Sequence, residues 1–484
     1  SQGELMPLRE GYAADLHDNY GNQIQPLLLS DQGDVIWSEE PFRIRVSGGA
    51  LHVQGQGPLL RTRSGATLRE AYLSASRRYF PPSGRLPDSL LFQAPQYNTW
   101  IELMYDQNQA DVLRYAHAVV DNGFPAGVLM IDDNWQMDYG RWRFRPERFP
   151  DPRRMVDELH GLGFRVMVWV CPFVSPDSEI YRLLREKGFL LKEEGSDQPA
   201  IVRWWNGASA LLDLSNPAAL GWFTAQLDSV RTLYGVDGFK LDAGDPEYYR
   251  DAVSFGHATP NEQSELYGRV GLRFPLNEYR AMWKMGGQPL AERLRDKRHS
   301  WGDLRKLVPE GALMGLMGYP FTAPDMIGGG EISSFQNLAS IDQDLVVRSA
   351  QASALMPMMQ FSAAPWRVLD AAHLAAVEKA VAVRMEHTPY IMELAREAAR
   401  TGEPIVRPME YDFSHQGLAE VKDQFMLGDR FLVAPVLEPY ATSRTVRLPA
   451  GRWRGPDGAV TAGSRIVRVA APLDVLPVFE RLSR

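Results

Sequence analysis

The sequence predicts an α/β protein, a (β/α)8 TIM barrel with an N-terminal and a C-terminal β-sandwich domain. Three observations lead there. At ordinary domain size the 484 residues amount to about three domains. With 45% hydrophobic and 23% charged residues the composition is that of a compact globular protein. The chain also changes texture twice, from short alternating strands to buried apolar runs with helical segments between them, and back again.

The first part, residues 1–86, reads as antiparallel β. It carries short apolar alternations such as Gln23-Ile24-Gln25-Pro26-Leu27-Leu28-Leu29, Val35-Ile36-Trp37, Phe42-Arg43-Ile44-Arg45-Val46 and Leu51-His52-Val53, broken by turn residues. From residue 87 to 400, apolar runs are each followed by a helix-period segment: Gly127 to Ile131, then Pro152 to Leu162, then Phe164 to Val170. That alternation implies βα units around a parallel sheet. Some 310 residues of it suit a closed barrel better than a doubly wound sheet, and no Gly-x-Gly-x-x-Gly follows an early strand. The stretch 255–279 has weak periodicity and is expected to be an insertion over the barrel top. Residues 401–484 return to strand-like pieces, Gln424 to Leu427, Arg430 to Val436 and Arg444 to Leu448, expected as a terminal β-sandwich.

Charge and composition exclude several classes. Lys and Arg number 52 against 60 Asp and Glu, a formal charge of -8, so nucleic acid is not an expected partner. The longest apolar run without Gly, Val166 to Val174, is far short of the roughly 20 residues that cross a bilayer, and no membrane partner is expected. One cysteine, Cys171, forbids an internal disulfide and leaves the redox compartment open. The chain starts at Ser1 without a basic-then-apolar leader, so cytoplasmic, periplasmic and secreted locations all stay open. A homo-oligomer is compatible with everything above. The nine histidines form no His-x-His or His-Glu-x-x-His, and neither Gly-x-Ser-x-Gly nor a phosphate-binding loop is present. No metal or other cofactor is expected. Carboxylate chemistry remains.

In such a barrel reactive side chains sit at the C-terminal ends of strands. Three apolar runs end in acids: Gly127 to Ile131 in Asp132-Asp133, Val236 to Leu241 in Asp242, and Tyr319 to Pro324 in Asp325. A carboxylate there is costly to desolvate unless it is paired or used. Each alone is as easily a helix N-cap, and three together point to a site. Tryptophans gather at the same places, at Trp100, Trp135, Trp169 and the Trp204-Trp205 pair. Indole faces beside carboxylates are the usual makeup of a sugar pocket, so a carbohydrate is the expected substrate.

At these residues the sequence resembles glycoside hydrolase family 31, from about Pro87 to the C-terminus. Gly238-Phe239-Lys240-Leu241-Asp242-Ala243-Gly244-Asp245 is similar to the family's nucleophile strand. Phe149 to Pro152, Leu212 to Pro217, Asp325 to Gly329 and Gly428 to Pro435 match its other signatures. The resemblance implies Asp242 as nucleophile, Asp132 as the aspartate on non-reducing-end hydroxyls, and Arg280 and Asp325 as further sugar contacts. For the acid/base it implies an Asp about seven residues before a Trp-containing helix start. Counting back from Asp303 in Ser300-Trp301-Gly302-Asp303 selects Asp296, with Asp303 the competing choice.

Departures from the family pattern are Arg293 for the Trp of Trp-x-Gly-Asp, Gly330 where Gly-Gly-Phe has Phe, and Ser362 for a pocket His. Pro95 to Glu102, Trp169 to Phe173 and Met358 to Ser362 resemble the branch containing the myogenesis-regulating glycosidase and its bacterial relatives, which implies α-galactosidase activity. Cys171 and Trp204-Trp205 are candidates for contacts that tolerate an axial 4-hydroxyl. Lys240, on the strand face of Asp242, is expected to keep it ionised. The expectation is a retaining exo-acting α-glycosidase without cofactor. Rival readings are α-glucosidase, α-xylosidase or sulfoquinovosidase, a transglycosylase, or a sugar-binding protein without turnover.

Overall fold

Residues 8–17 and 22–483 are described in a computed structural model of the chain. Eight parallel strands form the central sheet: β1 Gln96–Asn98, β2 Val128–Ile131, β3 Arg165–Val170, β4 Gly238–Leu241, β5 Asn277–Tyr279, β6 Glu292–Arg293, β7 Thr322–Ala323 and β8 Gln360–Phe361. Their order in the sheet is β7-β6-β5-β4-β3-β2-β1-β8. A parallel bridge between Met326 and Gln360 joins the two ends and closes the barrel. β2 is wholly buried and β3 nearly so, as expected for strands covered on both faces.

The helices between them start at recognisable caps. Asn108 accepts from the Asp111 amide, Asp151 from that of Arg154 and Asn216 from that of Ala218, the last two followed by a proline at the first helical position. Phe149 to Pro152 and Leu212 to Pro217 thus mark helix starts, not the reaction centre.

Residues 255–279 do not form an insertion. They fold into the helix Pro260–Val270, opened by a capping box of Thr259 and Glu262, and into barrel strand β5. The weak apolar period has a physical cause: this helix buries polar groups. Asn261 donates to the Leu16 carbonyl (3.0 Å) and Gln263 to Asp213 (3.3 Å). The excursion from the barrel lies instead between β3 and β4, where Phe173–Val174 pairs with Gly207–Leu211, itself in a hairpin with Ile201–Trp204.

The N-terminal part holds two three-stranded antiparallel sheets, one of Ala13–Asp15, Phe42–Ser47 and Ala50–Gly55, the other of Leu27–Leu29, Asp34–Trp37 and Leu60–Arg63. It is not all β. Leu68–Tyr79 is a helix capped by Thr67, and its buried Leu68, Ala71, Tyr72 and Ala75 follow helical spacing. Tyr79 stacks on Trp37 with ring centroids 4.9 Å apart. From this part Gln23–Ile24 pairs with Met282–Trp283 just after β5. Toward the C-terminus a six-stranded sheet and the two-stranded antiparallel sheet Ser443–Leu448/Arg465–Ala470 enclose a core that includes Met426, Leu432, Val446, Leu448, Trp453 and Phe479. Among the described residues, no helix is long and apolar enough to cross a membrane.

Candidate active site

Five strands deliver charged side chains to one end of the barrel. Asp132 and Asp133 follow β2, Asp242 follows β4, Arg280 follows β5, Asp296 follows β6 and Asp325 follows β7, while Lys240 and Arg293 lie within β4 and β6. At three of these strand ends the backbone turns through the left-handed region, with φ of 75° at Asn134, 56° at Ala243 and 94° at Asp325. Such strain in residues with a Cβ gathers at functional sites. The strand ends surround a cavity of about 430 Å³, within the range of small-ligand sites. Asp132, Asp133, Lys240, Asp242, Arg280, Arg293 and Asp296 line it, with Trp100, Tyr105, Trp169 and Trp205 as its aromatic walls.

Asp242 is held from several sides. Its Oδ2 accepts from the Trp169 indole (2.7 Å) and its Oδ1 from the Ala243 amide (3.0 Å). Burial opposes its ionisation, but Lys240, Arg280, Arg293 and the Trp169 hydrogen bond outweigh that and keep its carboxyl below the usual range. Trp169 is therefore both a wall and a donor to this carboxylate. Strand register explains the arrangement: Trp169, Lys240 and Glu278 are paired neighbours on β3, β4 and β5, so their side chains share one layer inside the barrel.

Lys240 pairs first with Asp132, Nζ to Oδ2 2.7 Å, and stands 4.0 Å from Asp242. Burial disfavours the ammonium, and the two aspartates more than restore it, so its pKa is raised. A Lys240→Met variant removes the shared counter-charge of two buried carboxylates. The expected results are loss of about 3–5 kcal/mol in denaturant unfolding and, because Asp242 then holds its proton to higher pH, an acid limb of kcat/KM displaced upward. An unmoved limb contradicts the role.

Arg293 is 2% exposed and its Nη1 bridges two carboxylates, Asp296 at 2.5 Å and Asp325 at 3.1 Å; its Nε lies 3.6 Å from Glu278. Arg280 reaches Asp245 (3.1 Å) and Asp296 (3.5 Å). Desolvation works to raise Asp296, yet Arg293, Arg280 and Lys240 pull it down to about 2. Burial lifts Asp325 to about 6 against Arg293. Two acids on one guanidinium nitrogen titrate as a pair. The competing residue Asp303 is elsewhere: it accepts from the Arg298 amide (2.8 Å), pairs with Lys306 (2.6 Å) and does not line the cavity.

Three expected sugar contacts are not wall residues: Trp204, which is buried and whose indole donates to the Ser209 hydroxyl (3.0 Å), Cys171 and Asp325. Cys171 is wholly buried in the hydrophobic core, where burial pushes its thiol well up; it closes a strand whose every neighbour is packed. Asp325 is 2% exposed, with its oxygens taken by the Lys297 amide (2.7 Å), the Gly330 amide (3.0 Å) and Arg293, so it supports the wall from behind. Gly330 is demanded by this packing, since a Cβ there would lie 2.5 Å from Asp325 Oδ1. Its carbonyl accepts from the Trp100 indole (3.1 Å). Ser362 is likewise buried, its hydroxyl accepting from the Ile101 amide (2.7 Å).

In the sequence Arg293 stands out only as a departure from a pattern, Asp133 and Asp245 appear beside Asp132 and Asp242 without a role of their own, and the N-terminal support is not visible. Asn22 donates its amide to Asp245 (3.1 Å) and its side chain to the Arg280 carbonyl (2.9 Å), which Gln23 also bonds (2.8 Å). The signal for Asp133 and Asp245 is their place beside Asp132 and Asp242 in acidic strand ends. Nothing local marks Asn22, because its partners lie more than 200 residues away.

The family model for the glycosyl hydrolases family 31 TIM-barrel domain matches residues 91–394, and that for the family 31 C-terminal domain matches 402–482. The chain belongs to glycoside hydrolase family 31. Among curated relatives of this family 31 chain, the myogenesis-regulating glycosidase of Mus musculus is 36% identical over 411 residues, covering 82% of the chain and 57% of the relative. The α-xylosidase XylQ of Lactiplantibacillus pentosus is 26% identical, over 94% of the chain and 62% of the relative. The chain thus spans little more than half the length of these proteins. Among solved structures, the Flavobacterium johnsoniae GH31 dextranase in complex with isomaltotriose superposes with a TM-score of 0.87 at 18% identity, over 98% of this chain and 63% of that one; the likeness is one of fold.

Proposed function

We propose that this family 31 chain is a retaining, exo-acting α-glycosidase with α-galactosides as preferred substrates. One observation carries the proposal: Asp242, kept ionised, and Asp296, set beside two arginines, line the same cavity from neighbouring parts of the barrel. Asp242 attacks the anomeric carbon and forms a glycosyl ester. Asp296 protonates the departing oxygen, then takes a proton from the water that cleaves the ester. In the open cavity Arg293, Arg280 and Lys240 favour the ionised Asp296; a leaving group that covers its 34% exposed side chain takes it out of water, which works to raise its pKa toward the protonated form the first step needs. Asp132, fixed by Lys240, faces the sugar hydroxyls, and the deep position of the ionised pair suits a terminal sugar residue.

Support for galactose as the sugar is the resemblance to the myogenesis-regulating glycosidase branch, together with the departures at Arg293, Gly330 and Ser362. Relatives include proteins named α-xylosidase and α-glucosidase, so the glycone needs a direct test. On a panel of p-nitrophenyl α-glycosides, the expected result is a kcat/KM for the galactoside at least about tenfold above those for the glucoside and xyloside, the contribution of one well-placed polar contact. Preference for the glucoside or xyloside would replace the galactose assignment. Product analysis with an added sugar acceptor separates hydrolysis from transfer.

A further inference from the structure

The hairpin of the excursion between β3 and β4 carries Trp204, Trp205 and Asn206 at its tip, where Gly207 turns the chain at φ 102°. Asn206 fastens this tip to the barrel. Its Nδ2 donates to Asp133 Oδ2 (2.5 Å) and to the Tyr139 hydroxyl (2.9 Å), while its Oδ1 accepts from the Tyr105 hydroxyl (2.9 Å). The Tyr139 hydroxyl in turn donates to Asp133 (3.0 Å). Next to this latch Trp205 lines the cavity although it is 44% exposed. An indole so placed leaves much apolar surface in water, yet it is held: Trp204 packs edge-on at 4.8 Å between centroids and the Arg280 guanidinium stands 5.0 Å from the ring centroid.

We propose that Trp205 is the platform for the leaving group, stacking on the flat face of a sugar or aryl ring, and that Asn206 is the positioning residue that keeps it there. The proposal rests on the glycosidase reading and adds to it where the departing ring lies. Exposure grades along the cavity. Trp169, Asp132, Lys240 and Asp242 are 1%, 2%, 4% and 7% exposed, whereas the Asp296 side chain is 34% exposed and Trp205 44%. The ring to be transferred occupies the deep end beside Asp242. The departing oxygen meets Asp296, so the ring attached to it extends toward the mouth. Arg280 binds both Asp296 and the face of Trp205, which puts proton donor and platform on one guanidinium.

The test compares two substrates of one sugar, the p-nitrophenyl glycoside and the glycosyl fluoride, whose leaving group has no ring. For Trp205→Ala the ratio of kcat/KM, aryl over fluoride, is expected to fall about five- to tenfold, the worth of an aromatic stack. Asn206→Ala should lower the same ratio mainly through KM of the aryl substrate, and Trp205→Tyr should restore most of it. Equal losses on both substrates overturn the platform. Failure of every glycosyl fluoride to turn over defeats the glycosidase reading instead. Calorimetry then decides the platform: p-nitrophenyl α-galactoside should bind about five- to tenfold more tightly than methyl α-galactoside, a difference that Trp205→Ala removes. Equal affinities for the two in the unaltered protein overturn it.

Discussion

Replacing Asp242 by Ala is expected to lower kcat by at least about 10⁴-fold on every substrate, because the covalent step has no other nucleophile. The loss should not depend on the leaving group, since even a glycosyl fluoride must be attacked. The fold should survive. Asp242 carries one member of a charge cluster whose other members, Lys240 with Asp132 and Arg280 with Asp245, keep their own partners at 2.7 and 3.1 Å. Circular dichroism and the thermal midpoint check that point. Added azide fills the space left by the carboxylate and should yield a glycosyl azide of inverted configuration, which identifies Asp242 as the attacking group. Retention of activity in Asp242→Ala would remove the assignment, and with it the proposed mechanism.

The second large effect is that of Asp296→Ala, and it should depend on the substrate. For sugar or alkyl leaving groups, which need a proton, the expected loss is about 10²–10⁴-fold. For the fluoride, which departs unaided, glycosyl transfer to Asp242 should be spared. The pH profile gives an independent reading. The nucleophile must be ionised, and Lys240, Arg280 and Arg293 put that requirement below the ordinary carboxylate range despite burial. The acid must be protonated, while Arg293, Arg280 and Lys240 beside Asp296 favour its ionised form in the open cavity. For poor leaving groups kcat/KM should therefore fall as pH rises, on a basic limb set by the Asp296 carboxyl. In Asp296→Ala that basic limb should vanish. A limb that persists unchanged assigns the proton to another group.

The parts of this architecture legible in the sequence are those governed by local pattern. Val128 to Ile131 and Val166 to Val170 are apolar without alternation, and such short runs rich in β-branched residues, set between helix-period segments, mark strands buried on both faces. Asp132, Asp242 and Asp325 stand out because each ends an apolar run at the rim where barrel strands open to solvent. The helix Pro260–Val270 escapes the same logic. Its inward face is polar, satisfied by the Leu16 carbonyl and by Asp213, so hydrophobic periodicity carries no trace of it. Leu68–Tyr79 does show helical spacing, and the neighbouring short strands obscure it.

Roles within the site divide in the same way. The sequence by itself determined which residue types stand at the strand ends, because a covalent pattern of apolar run plus acid specifies a strand and its terminus. Only the tertiary structure decided what each does. Whether Asp325 meets sugar or the Lys297 amide, whether Cys171 is wall or core, and whether Lys240 turns first to Asp132 are questions of side-chain direction and distance. Arg293 shows the reason most plainly: in the chain it is one more charge in a basic stretch, and in the barrel its guanidinium joins two carboxylates 3 and 32 residues away. Electrostatic roles depend on a few ångströms between groups far apart in the chain, and those distances exist only once the barrel has closed.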